Sequence, residues 1–201
     1  MQRRRYLGSL LSRLSVGLLA AGLLAACASP HHLQLNPQRS AEVPVTGSGQ
    51  AITVIAVDGR DSEVIGTRTG SAMSTSTITV DAHELVPHLQ REAERAVRDM
   101  GFAPTTENAP GRPSLTLTLD HLGYERGQSR PVIDESRLEA VFIAEAVNGG
   151  NTYTGTYTSR RTQSYAVRPG RDSNTRMVND LLADGLNRAF RDPDLGQLLA
   201  R

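Results

Sequence analysis

One cysteine stands in the chain, Cys27, and it directly follows the only long apolar run, Leu7 to Ala26. A lone thiol closes no disulfide within its own chain, so whatever folds here must be held by a hydrophobic core. The apolar run is not part of that core. It starts behind Arg3, Arg4 and Arg5, is divided by Arg13 and has no basic flank after Cys27. That is the profile of a secretory signal peptide rather than a membrane span. Residues 1–26 therefore read as a leader, and residues 27–201 as one domain of ordinary size with its attachments.

Leu24, Ala25, Ala26 and Cys27 resemble a bacterial lipobox. The leucine suits an apolar subsite, the two small residues suit a signal peptidase, and the thiol accepts a diacylglyceryl group. Cys27 is thus the expected lipidation site and the first residue of the mature chain, with membrane lipid as its partner. One acyl chain holds a protein marginally and two or more hold it stably. A lipid-anchored protein on the periplasmic side of the envelope follows, and Ala28 in place of an aspartate resembles an outer-membrane address.

Charge narrows the partners. The chain has 22 basic residues, all arginine, against 21 acidic ones. Four of the arginines lie in the leader, which leaves a slightly acidic remainder without a block of either sign. Nucleic acid is not an expected partner.

Residues 27–50, rich in Pro, Ser, Gly and Gln, read as a lipidated N-terminus and flexible tether. Folding is expected to begin at AITVIAV, residues 51–57, a β-branched strand. A Gly/Ser/Thr-rich excursion follows, with a short strand near Thr77 to Val80. Leu85, Leu89, Ala93, Val97 and Met100 recur at helical spacing up to Gly101. Asp81 and Glu84 look like a capping box, but Pro87 points to a regular helix starting nearer Val86. Leu115, Leu117 and Leu119 alternate with threonines as a half-buried strand. A long hairpin is predicted next: Arg137 to Val147, a turn at Asn148 to Gly150, and a return from Thr152 toward Tyr165. Met177, Leu181, Leu182, Leu186 and Phe190 mark a last helix, and Gly185 either weakens it by about 1 kcal/mol relative to alanine or permits close approach to a sheet. The economical arrangement is an α+β domain over residues 51–201: a mostly antiparallel sheet of four to five strands with two main helices on one face.

Chemistry-bearing patterns are sparse. No nucleotide-binding glycine loop, zinc-protease helix motif or nucleophile elbow occurs. Asp120 and His121 alternate to opposite faces of a strand, and Glu139 and Glu145 stand too far apart for paired-carboxylate chemistry. His31 with His32, and His83 with His88, lack a third ligand in reach and read as solvated surface residues. No enzyme activity, metal or cofactor is expected.

The lipobox, the ITV strand, the helix ending in Gly101 and Phe102, the leucine-threonine strand, the long hairpin and the closing helix broken at Asp192 and Pro193 together resemble the YajG family of uncharacterised bacterial lipoproteins. The resemblance implies an envelope lipoprotein without an assigned reaction, and it implies no functional residue beyond the lipidated cysteine. Two roles remain open. One is a structural or protein-interaction accessory with an envelope protein as partner; the other is a binding module for a small periplasmic or cell-wall ligand. The expected working surface is the polar loop from Asp61 to Thr75 and the outward side of the strand bearing Tyr153 and Tyr157. Oligomeric state is left open.

Overall fold

A computed structural model describes residues 30–68, 76–127 and 134–201. In chain order the elements are β1 (His31–His32), β2 (Ala51–Asp58), β3 (Val64–Thr67), β4 (Thr77–Thr79), α1 (Ala82–Asp99), β5 (Ala103–Thr105), β6 (Ser114–Arg126), β7 (Asp134–Asn148), β8 (Asn151–Tyr165), α2 (Arg171–Phe190) and α3 (Pro193–Leu199).

The sheet is mixed and eight-stranded, which corrects the expected mostly antiparallel sheet of four to five strands. Antiparallel pairing joins β6 to β7, β7 to β8 and β3 to β4. Parallel pairing joins β2 to β5, β2 to β6, β3 to β6 and β1 to β4. The cause lies in the connections: β3, β4 and α1 together carry the chain from β2 back to β5, and a crossover of that kind leaves the two strands it joins parallel. Three of the strands that sequence patterns failed to separate, β1, β3 and β5, are two to four residues long. That is too short for a period to be read.

Strand β6 organises the rest. Its first half pairs with β2 and its last residues with β3, while its other edge carries β7 throughout. The register with β7 shifts between Leu119 and His121. This bulge moves the inward parity from Leu115, Leu117 and Leu119 to Leu122 and Tyr124, all of them buried. The leucine-threonine strand therefore continues well past the point where its alternation breaks.

One face of the sheet is covered. Ile52, Val54 and Ala56 of β2, the inward β6 residues, and Leu138, Ala140, Phe142, Ala144 and Ala146 of β7 form a single core with the apolar sides of α1, α2 and α3. Among the described residues there are three helices, the two long ones expected and the seven-residue α3. Helix α1 begins at Ala82, not near Val86, and holds Pro87 inside it. Asp81 makes no side-chain cap; instead Glu63 Oε1 accepts the Ala82 N–H at 2.7 Å. Gln90 reaches β2 where β5 has ended, donating to the Val54 carbonyl at 2.9 Å and accepting from the Ala56 N–H at 2.7 Å. Helix α2 lies so close to the sheet that a Cβ on Gly185 would stand 2.6 Å from Phe142 Cδ2, which explains a glycine in mid-helix.

Residues 30–50 are not a tether. They form a strap across the helical side of the molecule, and burial alternates strictly from His31 to Arg39. Leu33 and Leu35 enter the core. The strap bonds to both long helices in turn. Asn36 N–H donates to Asn179 Oδ1 at 2.8 Å, Arg39 N–H to Glu92 Oε2 at 2.8 Å, and the Ser40 and Ala41 N–H groups share Asn187 Oδ1. The buried Arg39 guanidinium pairs with Asp99, and Arg95 donates to the Arg39 carbonyl. The folded unit therefore begins near Pro30 rather than at Ala51. Among the described residues no helix is long and apolar enough to cross a membrane.

Candidate interaction surface

Strand β8 is 15 residues long and, among the described residues, pairs only with β7. Gly149 and Gly150 both have positive φ, 57° and 83°. Those angles are what a two-residue type I′ hairpin requires, and such a turn makes Asn148 and Asn151 a hydrogen-bonded pair. The β7–β8 register runs from that pair to Asp134 and Tyr165 without a bulge. Every second β8 residue, Thr152 through Ser164, accordingly turns its N–H and C=O away from β7. Among the described residues, β8 makes no backbone–backbone hydrogen bond outside this pairing.

The same residues send their side chains to the face that carries no helix. Across it the register aligns Val57, Thr118, Ile143 and Thr156 in one row, and Ile55, Thr116, Glu145 and Thr154 in the next. Ile55 and Val57 are 40% and 39% exposed. Threonine methyls and β-branched aliphatics thus pave a broad open face. Its charged end carries Arg160, which donates to Glu139 Oε1 at 2.7 Å.

Tyr153 and Tyr157 belong to the other face. Both hydroxyls donate to Asp192 Oδ2, at 2.7 and 2.6 Å, while Asp192 Oδ1 accepts the Asp194 N–H and caps α3. Their inward parity, shared with Gly155 and Ser159, makes them a tie between β8 and the helices rather than a recognition surface. Burial raises the Tyr157 hydroxyl far above its usual range, and the Asp192 carboxylate adds to the effect. For Asp192, burial alone would raise the carboxyl, but the hydrogen bonds from Tyr157, Tyr153 and the Asp194 N–H outweigh it and hold the group below the usual carboxylate range.

This linkage gives a pH prediction. A carboxyl that ionises more readily in the folded chain contributes its stabilisation in full above the unfolded value, near pH 3.9, and loses it as pH falls through the folded value. Asp192→Asn should lower stability by about 1 kcal/mol at neutral pH, after allowance for partial exposure, and should flatten the acid limb. Urea midpoints of both proteins from pH 7 to pH 3 measure this, and equal slopes would contradict it.

At the opposite end from the Gly149–Gly150 turn, a buried polar chain joins five elements. Ser136 Oγ donates to Tyr124 OH at 2.8 Å and lies 2.9 Å from Tyr165 OH. Tyr124 OH donates to Asn174 Oδ1 at 3.3 Å, and Asn174 Nδ2 lies 3.1 Å from His31 Nδ1. His31 is buried rather than solvated, and its burial, with the charges of Arg68 and Arg171, lowers its pKa. The Asn174 amide then donates to an unprotonated Nδ1. His32 is exposed, as is His83. His88 lies between Asn36 and Arg91. No group of His, Cys, Asp or Glu suited to a metal occurs among the described residues. The hollows are open and lined mainly by charged and polar side chains.

Cys27 and residues 69–75 of the expected working loop lie outside the described residues. Residues 64–67 of that loop form β3 in the sheet. The expected outward side of the strand bearing Tyr153 and Tyr157 falls on β8, but it is formed by the threonines rather than the tyrosines, and the period of two in TYTGTYTSR, which separates Thr from Tyr and Gly, was the available signal.

No curated protein matches the chain. Among solved structures, a protein from Xanthomonas campestris is 13% identical, with 84% of this chain and 95% of that one covered and a TM-score of 0.49. The minor lipoprotein from Acinetobacter baumannii is 14% identical, with 76% and 96% covered and a TM-score of 0.40. Rare lipoprotein B from Shewanella oneidensis is 13% identical, with 70% and 87% covered and a TM-score of 0.38. A family described as uncharacterized lipoproteins matches residues 37–200, from the middle of the strap to the end of α3, and the chain belongs to this family, the YajG type of uncharacterised lipoprotein.

Proposed function

We propose that the protein is a lipid-anchored accessory of the cell envelope, acylated at Cys27, that holds an envelope protein partner along the edge of β8 and performs no catalysis. Ala28 after the acylated cysteine favours the outer membrane. The observation that carries the partner reading is the edge itself. Long unpaired edges invite strand addition, and proteins usually blunt them with bulges, prolines or inward charges. Strand β8 has fifteen residues with no bulge and no proline. A partner strand laid against it would gain backbone hydrogen bonds, while the adjoining threonine and aliphatic face would supply side-chain contacts. The reading as a module for a small ligand gains nothing from the open, charged hollows.

Thr156 tests this directly, because its N–H points away from β7. Thr156→Pro removes one outward donor and obstructs strand addition while leaving the internal ladder intact. Crosslinked envelopes should yield a partner with the wild-type chain and at least several-fold less with the variant, at closely similar melting temperatures. Undiminished recovery with a folded variant would remove the edge from the account.

A further inference from the structure

The strap leaves almost no free chain between domain and anchor. Pro30 leads straight into β1, where His31 pairs with Ile78 of β4 and Leu33 N–H donates to the Thr79 carbonyl at 2.9 Å. The buried His31 ring on Asn174 fixes the same point from the helix side. Ala28 and Ser29 alone separate Pro30 from Cys27, and three Cα–Cα steps reach at most about 11 Å. A free tether running to Gln50 would have reached roughly 80 Å. The backbone of an acylated cysteine sits where acyl chains meet headgroups, a zone roughly 5–8 Å deep on each side of the hydrocarbon.

Resting on the reading of Cys27 as lipidated, the geometry points to a second attachment: the end of the domain around Pro30, bearing Arg171 and Arg176, seats directly on the phospholipid headgroups of the membrane that holds the acyl chains. Chain length sets the contact and charge suits it. Pro30 shares an open hollow of about 600 Å³ with Arg171, Ser173 and Arg176, and Asp172 is the one carboxylate lining it. The Arg171 side chain is 67% exposed and stands 3.9 Å from Asp172. Arg176 directs Nη2 to Ser173 Oγ at 3.2 Å and is likewise exposed. Guanidiniums at this depth meet lipid phosphates, and each strengthens binding to an anionic surface roughly five-fold. The Gly149–Gly150 turn lies at the far end of β7 and β8, up to about 45 Å away at the usual strand rise. Seating therefore stands the β8 edge upright, running from the membrane outward, where a partner strand can reach it.

The experiment uses the full chain, purified from membranes as the acylated protein and returned to phosphatidylcholine vesicles with or without phosphatidylglycerol, each carrying a headgroup-attached quencher. Fluorophores are placed on Val167→Cys, an exposed position beside Gly170, or on Asn151→Cys beside the distant turn. Strong quenching at 167 with little at 151 is expected, and a twenty-residue Gly/Ser insertion after Ser29 should reduce the difference. Arg171→Gln with Arg176→Gln should weaken quenching at 167 in the inserted chain by several-fold, and only on anionic vesicles. Mass spectrometry of the same preparations separates the two claims. An acylated Cys27 with equal quenching at both positions overturns the seating alone, whereas an unmodified Cys27 overturns the anchoring and the seating together. Insensitivity of the inserted chain to the arginine substitutions overturns the role of charge.

Discussion

A chain begun at Ala51 is expected to lose cooperative folding, whereas one begun at Pro30 keeps it. Composition makes residues 30–50 look dispensable, yet Leu33 and Leu35 are core residues and Val43 packs against the same core. Full burial of a leucine side chain contributes about 1.5–3 kcal/mol. Removing the strap also uncovers the apolar sides of α1 and α2 that it bridges, and takes the Arg39 N–H from Glu92, whose remaining partner is Arg95. A loss on the order of 5 kcal/mol is comparable with the whole stability of a typical domain. Urea unfolding followed by near-ultraviolet circular dichroism measures it. Equal midpoints for the two chains would show that the strap is an ornament on an already complete domain.

Phe142→Ala should cost about 3–5 kcal/mol, among the largest effects of any single truncation. Phe142 is fully buried in the middle of β7, opposite Leu119 on β6 and Tyr157 on β8. Its ring occupies the space under α2 that Gly185 leaves without a side chain. Neither neighbour fills the void easily, because the glycine has nothing to extend and Tyr157 is held by Asp192. Val141, one residue earlier, faces the open side and is half-buried. Val141→Ala should cost under about 1 kcal/mol. Similar losses at the two positions would contradict a sheet with one covered face and one open face.

Much of this was legible in the sequence because period and packing coincide. Leu85, Leu89, Ala93 and Val97 mark α1, the leucine-threonine run marks the start of β6, and Asn148 to Gly150 marks the hairpin turn. The strap was not legible, although its alternation is strict. Its inward positions are His31, Leu33, Leu35, Pro37 and Arg39, and of those five residues only the two leucines announce burial. The second half of β6 was hidden by the bulge, which reverses parity between Leu119 and Leu122. Parallel pairing was hidden because it is decided by contacts between distant segments, β2 against β6 and β1 against β4, and not by local pattern. For Tyr153 and Tyr157, the pattern of two separates them from the threonines. Only the register with Phe142 and Ala146 shows that the tyrosines, not the threonines, face the helices. The proposed anchor rests on sequence alone: Leu24 to Cys27 resemble a lipobox in four residues, independent of the fold.

That anchor is the point on which localisation, seating and partner access all depend. The mass of the N-terminal peptide from protein purified out of its native membrane tests it most directly. The account predicts a peptide beginning at Cys27, with a diacylglyceryl group on sulfur and an acyl group on the amine, and predicts that Cys27→Ser yields an unprocessed precursor. A free thiol at Cys27, or cleavage at a different bond, would contradict the account at its centre.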